Sequence, residues 1–87
     1  MDEFEMNVVK VYPNPANDVL QLVLPNGFGG YIGMEVLDLA GRRVAADVLQ
    51  VHGGLSAPVD LGHLPAGSYV VIVGGDRRLK GKVQLLH

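Results

Sequence analysis

Cysteine and tryptophan are absent from this sequence of 87 residues, and aromatic residues make up only 6% of it. The absence of cysteine excludes disulfides, thiol chemistry and cysteine-ligated metal sites. No apolar run approaches the roughly 20 residues of a transmembrane helix, and no charged-then-apolar signal peptide follows Met1. Charged residues make up 18% of the chain and sum to a net charge of -2, which argues against a nucleic-acid-binding surface.

The remaining composition is that of one small domain. Apolar residues make up 48% of the chain, whose length is near the lower limit for folding without disulfides or metals. We expect residues 1–7 to be a linker remnant, or an arbitrary start within a longer protein. Residues 8–87 are expected to form the domain, because no internal repeat or low-complexity segment divides them further.

Turn-forming residues divide the domain into about seven short segments with strand character, which leaves no room for a long helix. The segment 68–74 is apolar on both faces, as expected of a central strand covered on each side. Short strands at this spacing predict an all-β fold, an immunoglobulin-like antiparallel β-sandwich. The predicted strands are 8–12, 19–24, 32–38, 43–51, 57–61, 68–74 and 78–86.

The segment that enters the sixth strand predicts a tyrosine corner, a turn typical of immunoglobulin-like sandwiches. Pro65 fixes its own φ and ends any preceding strand, and Gly67 permits backbone angles that a side chain forbids. Tyr69 can then bury its ring while its hydroxyl bonds a backbone group upstream, near Pro65. About one hairpin of sequence follows Tyr69, which fits a corner at the start of the penultimate strand.

Two further turns are predicted from local chemistry. Asp38 suits the first position of a type I turn, and Gly41 suits the left-handed residue that closes a tight hairpin as a bulge. Pro13-Asn14-Pro15 ends the first strand, because neither proline can donate to a ladder. Alternation along the strands predicts a core of Val9, Val11, Leu20, Leu22, Met34, Val36, Val59, Leu61, Tyr69, Val71 and Val83.

Catalytic chemistry is not expected. The histidines His52, His63 and His87 lie in two loops and at the end of the chain, with no spacing typical of a metal site. Neither Ser56 nor Ser68 lies in the strand-to-helix elbow that activates a serine nucleophile. We therefore predict that the domain is not an enzyme and binds no cofactor or metal.

The one asymmetry of charge is a basic cluster near the end of the chain, formed by Arg77, Arg78, Lys80 and Lys82. It can be the solvated face of a last edge strand, where lysines deter strand addition, or a recognition strip. On the charge pattern alone, the solvated face is favoured.

Four motifs in a fixed order resemble one known family, the C-terminal sorting domain of the type IX secretion system. Each motif alone is weak, but the order and the spacing together are specific, and they cover the chain from about Val8 to its end. Family members often carry a further lysine near the end, where this chain has Gln84-Leu85-Leu86-His87. The motifs are VYPNPA (11–16), VLDLAGRRV (36–44), VDLGHLPAGSY (59–69) and LKGKV (79–83).

The resemblance implies a transport signal at the C-terminus of a larger exported protein, in place of an enzyme. It implies that the outer-membrane machinery recognises the domain. A sortase-like cysteine protease would then remove the domain by cutting the linker around or upstream of residues 1–7. The resemblance also implies that the cargo passes through the periplasm and ends at the cell surface, joined to anionic lipopolysaccharide, or in the medium. The residues predicted for recognition are Gly67, Tyr69, Lys80, Lys82, Val83 and Leu85, and the structural motif residues are Pro13, Asn14, Pro15, Asp38, Gly41 and Pro65.

Two other functions share this fold, so the fold alone does not decide between them. The first is an accessory module that binds glycan or matrix, and the second is a purely structural domain. With Tyr12 and Tyr69 interpreted as structural, only Phe4, Phe28 and Tyr31 remain for a sugar platform. For the sorting signal, we expect the last strand to lie at a free sheet edge, open to strand addition by a partner.

Overall fold

The computed structural model describes residues 9–25, 29–74 and 78–86, and within these ranges every regular element is a β-strand. The predicted all-β class is confirmed, with one strand more than expected. A two-residue hairpin turn, Gly53-Gly54, joins His52 to Leu55 of the additional strand, and its glycines have φ of 64° and 81°. The strands are β1 (Lys10–Tyr12), β2 (Val19–Val23), β3 (Gly30–Leu37), β4 (Arg43–His52), β5 (Leu55–Ser56), β6 (Val59–Asp60), β7 (Gly67–Val73) and β8 (Leu79–Leu85).

The strands form a sandwich whose two layers are continuous through one short strand. The hydrogen-bonded order is β1-β2-β5-β4-β3-β7-β8, with β6 paired to β2 outside this order. Every one of these strand pairs is antiparallel. Because β5 pairs with both β2 and β4, it joins the layer of β1, β2 and β6 to the layer of β4, β3, β7 and β8. The predicted immunoglobulin-like sandwich is confirmed.

The two ends of this strand order lie side by side, because residues 9–16, which we call the strap, run along the outer edge of β8. The Val9 N–H donates to Lys80 O at 3.0 Å, and the Ala16 N–H donates to Gln84 O at 2.8 Å. The Leu86 N–H donates to Ala16 O at 2.9 Å, and Ala16 forms a parallel bridge with Leu85. The strap therefore nearly closes the sheet on itself.

The core lies between the two layers and agrees closely with the predicted one. Every predicted core residue is buried except Val11, which is half-buried and packs against the others. The prediction that the strand at 68–74 is covered on both faces is wrong, because Val70 and Ile72 on the outer face of β7 are only half-buried. The strand is central in the sheet, between β3 and β8, but it is not covered on both faces. Buried apolar side chains beyond the predicted core are those of Ala16, Leu24, Leu49, Val51, Leu64, Val73, Leu79 and Leu85.

The tyrosine corner is formed as predicted. The ring of Tyr69 is only 7% exposed, and its hydroxyl donates to Pro65 O at 2.6 Å. Gly67 lies between them with a φ of 152°, a value that favours glycine. The hydroxyl bond holds the chain as it enters β7, so the corner fixes the start of the central strand.

The hairpin between β3 and β4 also has the predicted turn. Gly41 has a φ of 88°, and its N–H donates to Asp38 O at 3.0 Å. The Asp38 carboxylate accepts the backbone N–H groups of Ala40 and Arg42, both at 2.9 Å, and pairs with the Arg42 guanidinium at 3.0 Å. The backbone hydrogen bond from Arg42 is the main cause that lowers the pKa of Asp38 below its ordinary value of 3.8.

We predict that Tyr69→Phe lowers the free energy of unfolding by about 1–2 kcal/mol, because it leaves the carbonyl of Pro65 without its buried donor. Urea titration followed by circular dichroism measures the change. The matched control is Tyr31→Phe, because Tyr31 is 76% exposed and its hydroxyl is free to bond water. A Tyr69→Phe loss as small as that of the control would show that the corner bond contributes no net stability.

Candidate recognition surface

The two predicted recognition lysines lie on the solvent face of β8. Burial alternates along this strand, so Leu79, Val83 and Leu85 point into the core while Lys80 and Lys82 point out. Neither lysine forms an ion pair with any residue of the described ranges. Both ammonium groups are therefore available at the surface.

Of the rest of the basic cluster, Arg78 belongs to an ion-pair network, and Arg77 lies outside the described residues. The two carboxylate oxygens of Glu35 bond Arg43 at 3.2 Å and Arg78 at 3.3 Å. Because Arg78 is already paired with Glu35, we interpret it as a structural residue and not as part of the recognition surface. Lys80 and Lys82 thus differ from Arg78 in having no partner among the described carboxylates.

Three of the predicted recognition residues are buried. The side chains of Tyr69, Val83 and Leu85 lie in the core, and Gly67 is half-buried at the start of β7. Their role in recognition stays a prediction. In the folded domain such a role is indirect, through the position of β8, because a partner does not reach a buried side chain.

Asn14 binds the outer edge of β8 through both ends of its side-chain amide. Its Nδ2 donates to Lys82 O at 3.1 Å, and its Oδ1 accepts the Gln84 N–H at 3.2 Å. Pro13 and Pro15 on either side have no N–H to donate. The amide of Asn14 therefore makes the hydrogen bonds that a regular neighbouring strand would make with its backbone.

The prediction that β8 has a free edge is wrong. The backbone groups Lys80 O, Lys82 O, Gln84 N, Gln84 O and Leu86 N on this edge are bonded to the strap. This pairing was not predicted, because the two segments are about 70 residues apart and the strap forms only a short regular strand. A partner strand can add here only after it displaces the strap.

Gly81 permits the close approach of the strap and was missed by the sequence analysis. A Cβ atom at Gly81 would overlap the carbonyl oxygen of Val9 and lie 2.8 Å from Val9 Cγ1. Ordinary carbon contacts are about 3.5–4.0 Å. A glycine between two lysines on a regular strand was the available signal, since glycine in a strand often marks close backbone approach.

The described residues offer no catalytic constellation. Ser56, the one buried polar residue there, accepts the Leu22 N–H at 2.8 Å and donates to Ala57 O at 2.9 Å, so its hydroxyl has a structural role. His52 is exposed at the end of β4, His63 is exposed in the turn that follows β6, and His87 lies outside the described residues. Across residues 9–25, 29–74 and 78–86, no three His, Asp or Glu side chains come together as a metal site. No helix suited to crossing a membrane occurs in these ranges.

The aromatic residues require one correction. Tyr12, interpreted as structural, is 67% exposed on β1, and Tyr31 is exposed on β3. These two strands are not neighbours in the sheet, so the two rings do not form one flat sugar platform. Phe4 and Phe28 lie outside the described residues.

Comparison with protein families decides the identity. The profile described as "Secretion system C-terminal sorting domain" matches residues 10–85, from the first residue of β1 to the last residue of β8. The chain belongs to this family of sorting domains. Comparison with curated proteins gave no significant match. The match to the family profile confirms the resemblance inferred from the four motifs.

Membership in the sorting-domain family gives the function in outline. The domain is the C-terminal sorting signal of the type IX secretion system, and it directs a cargo protein across the outer membrane. Residues 10–16 of the strap and the lysine face of β8 lie within the matched residues. The surface described above therefore belongs to the part of the chain that defines the family.

We predict that Gly81→Ala destabilises the sorting domain by about 1–3 kcal/mol, because the added methyl group displaces the strap backbone from β8. Thermal unfolding and amide hydrogen exchange at Gln84 and Leu86 measure the effect. The control is Gly33→Ala, where no atom lies within 4 Å of the added Cβ, and the expected change is below about 0.5 kcal/mol. Equal changes at the two glycines would contradict the close approach at Gly81.

Proposed function

We propose that the export machinery recognises this sorting domain through the lysine face of β8, while the strap keeps the edge of the strand closed. The main support for the proposal is the alternation of buried and exposed side chains along β8. Its apolar side chains fill the core, and Lys80 and Lys82 point to solvent without a described acidic partner. Recognition by side chains is consistent with an edge on which five backbone groups are already bonded to the strap.

We also propose the later steps that the family resemblance implies. The domain leads its cargo from the periplasm to the machinery in the outer membrane, and a sortase-like protease then cuts the linker before the sandwich. The cargo remains at the surface, joined to anionic lipopolysaccharide, or enters the medium. The protease and these two destinations are proposals that depend on the family membership.

The export proposal predicts that Lys80→Glu with Lys82→Glu impairs secretion of a periplasmic reporter fused to this domain in a type IX-competent bacterium. The thermal midpoint should stay nearly unchanged, because exposed charges contribute only a few tenths of a kcal/mol. Secretion is measured as the reporter fraction at the surface and in the medium. The matched control is Lys80→Arg with Lys82→Arg, which keeps both charges and should be exported.

Normal export of the double glutamate variant would overturn the lysine-face proposal. Deleting residues 78–87 should also strand the reporter in the periplasm, but that result is less specific. The deletion removes Leu79, Val83 and Leu85 from the core, so it unfolds the sandwich as well as removing the lysines. The point variants separate the two effects.

The proposal further holds that the domain itself is not an enzyme and needs no metal. We predict that the purified domain shows no hydrolase or transferase activity and no stoichiometric zinc binding by isothermal titration calorimetry. The support is that no three metal-ligating side chains come together among the described residues, and that Ser56 has a structural role. Tight binding of one zinc ion per chain would contradict it.

A further inference from the structure

A groove of about 730 Å³ lies between the strap and β8. Its apolar lining includes Val9, Val11 and Val70, and its polar lining includes Lys10, Lys80 and Lys82. Lys10 belongs to β1 and the other two lysines belong to β8. Positively charged side chains from both ends of the strand order therefore line the groove. None of the described residues that line it is acidic.

A second hollow of about 420 Å³ continues this groove and shares Asn14, Val70 and Lys82 with it. It adds Leu39, an exposed apolar side chain of the turn between β3 and β4. No described acidic residue lines this hollow either. We call the two hollows together the lysine groove.

The charge of the lysine groove is opposite to that of the whole chain, whose net charge is -2. Three ammonium groups without a lining carboxylate make a positive surface that attracts and orients an acidic partner. Lys80 and Lys82 are two residues apart on one strand face, a spacing of about 6.6–6.8 Å. Alternate side chains of an extended peptide have the same spacing, so its carboxylates can pair one to one with these lysines.

We propose that the lysine groove binds an extended acidic segment of a partner protein, with carboxylates at alternate positions and apolar residues between them. The inference deepens the proposed function, on which it rests, by naming the chemistry of the partner and adding Lys10 to the recognition surface. Since the edge of β8 is closed by the strap, this segment is held by ion pairs and apolar contact. It does not extend the sheet.

The test uses the domain as it is, with an eight-residue peptide of alternating glutamate and leucine as the probe. Titration followed by two-dimensional NMR should shift the backbone amides of Lys10, Val70 and Lys82 and give a dissociation constant. A peptide with glutamine in place of glutamate should not bind at the same concentration. Raising the salt from about 50 to about 500 mM should weaken binding, because exposed ion pairs are screened.

The deciding variant is Lys10→Gln, which should weaken binding of the glutamate peptide by about three- to tenfold with an unchanged thermal midpoint. Arg42→Gln is the matched control, because it removes one exposed positive charge that does not line the groove. Equal weakening by both variants would overturn the proposal. Equal binding of the glutamine peptide, or binding to phosphatidylglycerol vesicles in place of the peptide, would also overturn it.

The export assay separates failure of this inference from failure of the lysine-face proposal. If the double glutamate variant at Lys80 and Lys82 is not exported while Lys10→Gln is exported normally and the peptide does not bind, only the groove inference fails. If the double variant is exported normally although the peptide binds, the groove exists but does not serve export, and the proposed function fails.

Discussion

The contact between the strap and β8 joins the two ends of the sheet and holds the sandwich together. Asn14 bonds Lys82 and Gln84 with one amide, and Ala16 exchanges hydrogen bonds with Gln84 and Leu86. These bonds join the first and last segments of the strand order, so a sheet that would have two open ends becomes nearly closed. Closure removes an exposed edge, which protects a small sandwich from pairing with other chains.

The contact between the strap and β8 brings together residues from different sequence motifs, each of which is weak alone. Asn14 of the first motif bonds β8, and Gly67 and Tyr69 of the corner pair with Leu85 and Val83 of the same strand. Gly81, between the two lysines, provides the space in which Val9 crosses. Three of the motifs thus meet on one strand, while the Asp38 turn holds the other end of the neighbouring hairpin. Their fixed order reflects a physical assembly around β8.

Local chemistry was enough to predict the parts that depend on neighbouring residues. The proline and glycine before Tyr69, and the aspartate and glycine of the 38–42 turn, fixed those turns because few other residues satisfy their backbone angles. The strap could not be predicted, because Asn14 and Gln84 are 70 residues apart and an amide side chain replaces a regular strand ladder. Apolar and polar residues alternate only weakly along β4, so the burial of Leu49 and Val51 was not predicted either. The lysine face of the site was predicted, but its closed edge was not.

Alternation along β8 lets one short strand fill the core with one face and present the two lysines of the proposed recognition surface on the other. Every second residue is fixed by the core or, at Gly81, by the close approach of Val9. The residues between them, Lys80 and Lys82, are exposed and contribute little to folding. Because the strap also bonds the backbone of this strand, the two lysines are held at fixed positions without being buried.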